Sequence, residues 1–380
     1  MLACNLCDAT GLERLYRTER PLSITSLAEV REITTEVSLC AHCGHIQTPP
    51  VENLEHYYES DYRILLDSDD EDQLYSVENG RHVYRSEHQA ETLLRKLGLP
   101  AGARILEYGC AKGATARRLL QSRPDLELSL FDISHQYEPF WQRFRQPTHW
   151  ATHALPDDWT GRFDAVASFF VLEHITDPRA ALEQQARLLK PAGRLYFLVP
   201  SLWGNPADLI VADHVNHFTR HSLATLLAGS GLAIQEIDET SHAGAFIVIA
   251  VKQDRTAPVD PSCPTELAAE ARVLGRYWSD LGQRIREFEN GQDSHSSAIY
   301  GSGFYGTFIA TNLAALDRVD CVLDRNPYRQ GAQLLGRPIV APEQLPEHVR
   351  SMYVGLNPAG ARAAMQATGW GERPLSWFYL

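Results

Sequence analysis

The stretch ADHVNHFTRH, residues 212–221, carries His214, His217 and His221 in an H-x2-H-x3-H spacing. Imidazoles this close together suit three chemistries: metal ligation, proton abstraction at the mouth of a pocket, or the start of a helix. Thr219 followed by RHSLATLLAGSG predicts a helix capped by that threonine and closed at Gly229 and Gly231, with His221 exposed in its first turn. Capping accounts for half of the spacing and no ligand geometry is forced, so a metal at the three histidines is not expected.

Four cysteines make a stronger metal pattern. Cys4-x2-Cys7 and Cys40-x2-Cys43 are two knuckles separated by 32 residues, and Gly44 can take the turn after the second without Cβ strain. Each knuckle presents two sulfurs on one side of a tight loop, and tetrahedral Zn²⁺ takes four thiolates. A structural zinc held by Cys4, Cys7, Cys40 and Cys43 is therefore expected. His42 and His45 are read as surface residues, and redox use of the pairs lacks a thioredoxin-like strand–helix context.

A third chemistry resides in ARILEYGCAKGATARRLL, residues 103–120, which reads strand, glycine turn, helix. The next strand, LELSLF, ends at Asp132, and FDAVASFFVLEH and GRLYFLVPS supply two more. Strands alternating with helical patterns predict a parallel α/β sheet with ligands at the carboxyl ends of its strands. Glycines let the main chain approach a ligand, and an acid at the next strand end can accept from both hydroxyls of a ribose. Glu107 would repel a pyrophosphate at this turn, and Ala111 stands where the dinucleotide fingerprint has its middle glycine. Both details favour the adenosyl group of S-adenosyl-L-methionine.

The run ILEYGCAKG, with Asp132 and FDAVASFFVLEHITDP, resembles the class I methyltransferases over residues 95–250. The expected cofactor-binding set is Glu107, Tyr108, Gly109, Ala111, Gly113, Asp132 and Ile133.

Downstream, DRTAPVDPSCP reads as a linker, and Leu267, Ala271, Leu274, Trp278, Leu281, Ile285 and Phe288 mark one apolar stripe of a helix over 265–289. Core packing is the expected use of that stripe, with a dimer seam as the alternative, so a monomer or homodimer is expected. Gly301, Gly303 and Gly306 then form a GxGxxG followed by a strand ending at Asp324. Alone this would suggest NAD, but a close strand–helix crossing needs the same glycines.

DRNPYRQGAQLLGRPI, residues 324–339, resembles the C-terminal domain of sugar C-methyltransferases, and the three-part order of that family matches along nearly the whole chain. The resemblance implies a zinc-binding module at 1–60, a class I methyltransferase domain with its Rossmann-like sheet at 61–254, and a linker helix with a second Rossmann-like α/β domain at 255–380. It also implies a nucleotide-linked sugar as small-molecule substrate. The family's Tyr-His-Glu-His-Phe segment aligns so that His217 and Phe218 are kept, Asn216 replaces the glutamate and His214 the tyrosine. His217 is then the expected base, His174 and His214 orienting or donor groups, and Tyr62 a phenol of the same network. Ile64 replaces a second family tyrosine, and a family HGGSxR run is HAGAFIV here, keeping His242 and Gly244. These departures leave O-methylation of a glycan or other metabolite as the rival reaction. An NAD-dependent sugar-modifying enzyme and a non-catalytic nucleotide-binding scaffold are the rivals of other classes.

The whole chain sets outer bounds. Its 380 residues, 44% apolar and 22% charged, suit two or three globular domains. A formal charge of −13 argues against non-specific nucleic-acid binding. Without an apolar run of about 18 residues or a signal-peptide pattern, a cytosolic protein that neither enters nor crosses a membrane is expected. The acidic run at 67–75 reads as a solvated face, and so do Arg81, Arg85, Arg117 and Arg118, unless they greet an anionic substrate.

Overall fold

The computed structural model describes residues 3–53, 56–63, 68–146, 148–228, 230–253, 259–292 and 296–380. Gly229, Ile64, Asp67 and the first half of the proline-rich linker lie outside the described residues. The chain forms two compact units that interleave in sequence. The first comprises residues 1–13, 39–204 and 215–265, and the second residues 14–38, 205–214 and 266–380.

The first unit is built on seven strands: β1 Arg104–Tyr108, β2 Glu127–Asp132, β3 His149–Thr152, β4 Phe163–Phe169, β5 Leu189–Pro200, β6 Leu232–Asp238 and β7 Ala245–Lys252. Their order is β3-β2-β1-β4-β5-β7-β6. The first five run parallel, while β7 is antiparallel to both neighbours. Its longer helices are α1 Arg85–Leu97, α2 Ala114–Ser122, α3 Pro178–Leu188 and α4 Arg220–Leu227. Strands buried on both faces read as continuous apolar runs, as FLV in β5 and FIVIA in β7 do; all eight of these residues are buried. The strand order reverses between β1 and β4, which opens a crevice at their carboxyl ends. This is the class I methyltransferase Rossmann-like fold.

The second unit holds α5 Thr265–Asn290, α6 Phe304–Asn312 and α7 Pro358–Gln366. Its strands are β8 Ser297–Tyr300, β9 Val319–Leu323, β10 Gln333–Leu334, β11 Arg337–Val340, β12 Ser351–Val354 and β13 Ser376–Tyr379. The order is β10-β11-β9-β8-β12-β13, parallel except at β10. The stripe read from the sequence is the buried face of α5, with Ala271, Trp278, Leu281 and Ile285 almost fully enclosed. Two of the GxGxxG glycines, Gly301 and Gly306, serve a close crossing, whereas Gly303 has open space around it. A Cβ on Gly306 would stand 1.9 Å from the Gly301 carbonyl oxygen, and one on Gly301 2.4 Å from that of Gly355. Asp324 accepts from the main chain of Ser302 and Asn326 and from the Ser302 hydroxyl.

This partition differs from boundaries at 60 and 254. Residues 14–38 join the second unit because Gly275 on α5 lets the Leu15 main chain pass: a Cβ there would meet the Leu15 carbonyl oxygen at 2.4 Å. Arg20 also donates to the Thr311 carbonyl. Among the described residues no helix is long and apolar enough to cross a membrane. Gly275→Ala should cost about 2 kcal/mol or more in denaturant unfolding, since main chain cannot yield as a side chain can. Gly360→Ala, in open space on α7, should be neutral or add up to about 1 kcal/mol.

Candidate active site

The carboxyl edge of the first sheet is shaped by main chain that ordinary residues avoid. Gly109 and Gly113 have φ of 72° and Ala111, between them, 45°. A Cβ on Gly109 would lie 2.5 Å from the Val171 side chain, so the turn needs glycine for space as well as for sign of φ. The Gly109 and Cys110 amides donate to the Phe131 carbonyl, and the Ala111 amide donates to Asp132 Oδ2 at 2.8 Å. Asp132 Oδ1 accepts from Ser134 N. A carboxylate has about four lone-pair sites, so two main-chain donors leave Asp132 acceptor capacity for a ligand. Ile133 beside it is 42% exposed, unusual for so large an apolar side chain.

Burial has penalised charge along this edge. It pushes the Glu107 carboxyl up to about 8, with Asp132 adding to the rise, and Asp132 itself up to about 6. Glu107 Oε2 is buried without a hydrogen-bond partner. Burial likewise lowers Lys112, whose ammonium donates to the Ser68 and Glu71 carbonyls. Tyr108 is buried and its hydroxyl donates to Gln184.

Five residues, Tyr57–Asp61, form a wide helical turn from which Tyr58 meets the segment after β4. Tyr58 Oη lies 2.7 Å from His174 Nδ1, and the His174 ring is 5.4 Å from that of Tyr58 and 5.7 Å from that of Tyr62. The turn is tied to the loop after Asp132: Ser134 Oγ donates to the Glu59 carbonyl and Gln136 Nε2 to that of Tyr62. So the tyrosine turn bridges from the loop behind Asp132 to the loop that bears His174. Tyr58 carried no motif, and its only signal was the i, i+4 spacing to Tyr62.

A second aromatic group borders the same edge. Phe170 has a φ of 60°, an outlier for a bulky residue, and the Arg85 guanidinium lies 4.6 Å from its ring centre. His242 is 5% exposed and packs against Phe170, Tyr75 and His88. Burial, then the Arg85 charge, lowers His242 to about 4, so its imidazole is neutral at pH 7. Nδ1 lies 3.2 Å from the Ala243 carbonyl, while Nε2 is buried without a partner. With Nδ1 as donor, Nε2 is left as an acceptor.

The histidine stretch divides. His217 is fully enclosed, lies in a two-residue strand paired with Ile46–Gln47, and has Nε2 2.8 Å from Thr48 Oγ1. His214 belongs to the second unit, where Nδ1 sits 2.6 Å from Asp208 Oδ1. His221 is half-buried on α4, behind a capping box made by Thr219 and Ser222. Asn216 is the junction: Oδ1 faces Asn5 Nδ2 and His45 Nε2, and Nδ2 donates to the Leu172 and Ile175 carbonyls. His45, read as a surface residue, is fully buried because it joins this network, whereas His42 is exposed.

The four knuckle cysteines bring their sulfurs within 4.8 Å of one another. Cys4 and Cys43 are 3.5 Å apart and Cys7 and Cys40 3.7 Å. Zn–S bonds of about 2.3 Å in a tetrahedron set sulfurs about 3.8 Å apart, so the donor set fits zinc. Gly44 has the positive φ, 69°, that its place after Cys43 called for.

Residues 81–237 match the family model described as a methyltransferase domain. The chain is 29% identical over 204 residues to the C-methyltransferase NovU of Streptomyces niveus, covering 48% of this chain and 48% of that protein. It is 32% identical over 162 residues to a ubiquinone biosynthesis O-methyltransferase of Xanthomonas axonopodis pv. citri (strain 306), covering 36% and 66%. Among solved structures it is similar to 1,6-didemethyltoxoflavin-N1-methyltransferase of Burkholderia thailandensis, at 20% identity and a TM-score of 0.37 over 45% of this chain and 79% of that one. The chain spans about half the length of the curated relatives it matches.

Glu107 gives the edge a signature in stability. A carboxyl whose folded pKa is raised stabilises the fold below its unfolded value, near 4.5, and that contribution is lost as pH rises through about 8. Glu107→Gln should therefore leave thermal stability little changed at pH 5 and raise it at pH 9, by a few kcal/mol at most.

Proposed function

We propose that the protein is an S-adenosyl-L-methionine-dependent methyltransferase acting on a sugar, foremost a nucleotide-linked keto sugar methylated on carbon. The observation that carries this reading is the pairing of His174 with Tyr58 on the same sheet edge that holds the Gly109–Gly113 turn and Asp132. When bound, the donor supplies an electrophilic methyl group on a sulfonium. Asp132 would accept from its ribose hydroxyls, Ile133 offers an apolar face to its base, and the buried Glu107 carboxyl suits its ammonium group. What remains for the protein is to align two reactants, exclude water and remove one proton.

We assign that proton to His174 rather than to the enclosed His217. The tautomer that donates from Nδ1 to Tyr58 Oη presents Nε2 as a base. On a keto sugar the proton lost is the one beside the carbonyl, and Arg85 and Tyr62 are donors suited to the enolate oxygen. His242 Nε2, an acceptor beside the Tyr75 and His88 rings, suits a sugar hydroxyl. The similarity to the C-methyltransferase NovU supports carbon as the acceptor atom. A second reading, O-methylation, is favoured by the ubiquinone O-methyltransferase matches and by Asn216 in the family's glutamate position; it needs one base and no enolate donor.

The Cys4–Cys43 site is proposed to hold a structural zinc, with four protein thiolates and no open position for chemistry. A cytosolic setting, with none of the seven cysteines in a disulfide, and a monomer or homodimer without a nucleic-acid partner complete the reading. Gly301 and Gly306 of the second unit are assigned to packing, and a nucleotide-linked sugar rather than NAD to that unit.

The test is a panel of keto and hydroxy nucleotide sugars incubated with methyl-labelled donor, with the methyl located by NMR. A new C–CH₃ is expected; a methyl found on oxygen selects the second reading, and NAD binding without donor binding would overturn both. His174→Ala should cut turnover by about 10²–10⁴-fold while donor affinity stays within about twofold. An unchanged turnover would return the His174–Tyr58 pair to packing. Cys4→Ala should lower zinc content and solubility.

A further inference from the structure

Beside the loop that follows Asp132 lies a group of side chains that methyl transfer does not use. The carboxylate of Glu59 and the imidazoles of His135 and His153 bring one ligand atom each within 4.8 Å of one another. His135 Nδ1 and His153 Nε2 are 2.9 Å apart, and both histidines are exposed while Glu59 is half-buried. We propose that Glu59, His135 and His153 form a second metal site, for a zinc-type divalent cation, that fastens the tyrosine turn over the cofactor edge.

The donor set argues for that class of ion. Two imidazole nitrogens and one carboxylate oxygen suit zinc and its neighbours in the first transition row, whereas calcium and magnesium prefer all-oxygen shells. Metal bonds of about 2.0–2.2 Å in a tetrahedron separate the ligand atoms by about 3.3–3.6 Å; here the two imidazole nitrogens stand 2.9 Å apart and the carboxylate oxygen within 4.8 Å of both, so small side-chain shifts would admit an ion. With both histidines exposed, a water would complete the shell.

His153 reaches this place at a cost. Its φ is 59°, a left-handed conformation that costs on the order of 1 kcal/mol or more for a residue with a Cβ. Its amide donates to the Asp132 carbonyl, so the strained residue is anchored on the strand end that carries the acid.

The three ligands come from three segments that surround Asp132. Glu59 sits in the middle of the Tyr57–Asp61 turn, one residue from Tyr58. His135 opens the short helical turn His135–Tyr137 behind Asp132, and His153 follows β3. Without metal, the Ser134 and Gln136 hydrogen bonds hold the tyrosine turn in this region. An ion bridging Glu59 to the two histidines would add a bond to side chains on both sides of that junction and slow its opening. The metal site stands on its own geometry; only its value for catalysis rests on the methyl-transfer reading.

The experiment titrates Zn²⁺ into the full-length purified protein by calorimetry, with metal per chain determined beforehand by elemental analysis. His135→Ala and His153→Asn serve as variants, the second because asparagine tolerates the left-handed backbone. Wild type is expected to bind one zinc beyond its starting content, and each variant to bind it at least about tenfold more weakly at unchanged starting content. Hydrogen exchange of residues 57–62 should slow on zinc addition in wild type and not in His153→Asn. No further zinc uptake by wild type, or equal uptake by both variants, would overturn the site. Uptake without slower exchange at 57–62 would overturn the fastening role.

Discussion

The carboxamide of Asn216 ties the cysteine knuckles of the first unit to the turn that presents His174. It is fully buried, and each end has two partners: Asn5 and His45 at the oxygen, the carbonyls of Leu172 and Ile175 at the nitrogen. Asn5 lies between the two cysteines of the first knuckle and His45 two residues beyond the second. Leu172 and Ile175 flank the turn that presents His174. A buried amide with all four positions engaged resists displacement, because breaking any bond strands a polar group away from water. The cysteine module thus works as a brace for the turn that bears His174. A glutamate at this position could not donate to two carbonyls, which makes Asn216 a change of role rather than a loss.

Strained main chain gathers within a few residues at the carboxyl edge of the first sheet: Gly109, Ala111, Gly113 and Phe170, at the ends of β1 and β4, all have positive φ. The penalised charges gather there too: Glu107 and Asp132 raised, Arg85, Lys112 and His242 lowered, each first by burial. Strain and desolvated charge cost stability, and together they mark a place kept for a ligand rather than for the fold. A cationic, hydroxyl-rich donor would relieve several of these costs at once.

How much of this was legible follows from how local each feature is. The glycine turn, Asp132 at the end of β2, the paired knuckles, the Thr219 cap and the stripe on α5 depend on short-range pattern, and each lies where the residues put it. The destinations of His214, His217 and His45 do not. Two-residue strands such as Asn216–His217 have no periodicity of their own, and whether a side chain faces a pocket or a neighbour is decided by tertiary pairing. Hence two histidines three residues apart belong to different compact units, and a histidine flanking a knuckle is buried. Tyr58 escaped notice because a single helical turn offers no amphipathic pattern, and residues 14–38 because nothing in their sequence announces the glycine on α5 that admits them. The GxGxxG run is a motif whose local pattern leaves two uses open: packing accounts for Gly301 and Gly306, while Gly303 has open space around it.

The brace can be tested without knowing the acceptor. Asn216→Asp retains an acceptor toward Asn5 and His45 and removes the two bonds donated to Leu172 and Ile175. Hydrogen exchange should then accelerate at residues 172–176 by at least about tenfold, with strand Arg104–Tyr108 as protected as in wild type. If residues 172–176 stay equally protected in the variant, the His174 turn is held by something else and the account of the site fails.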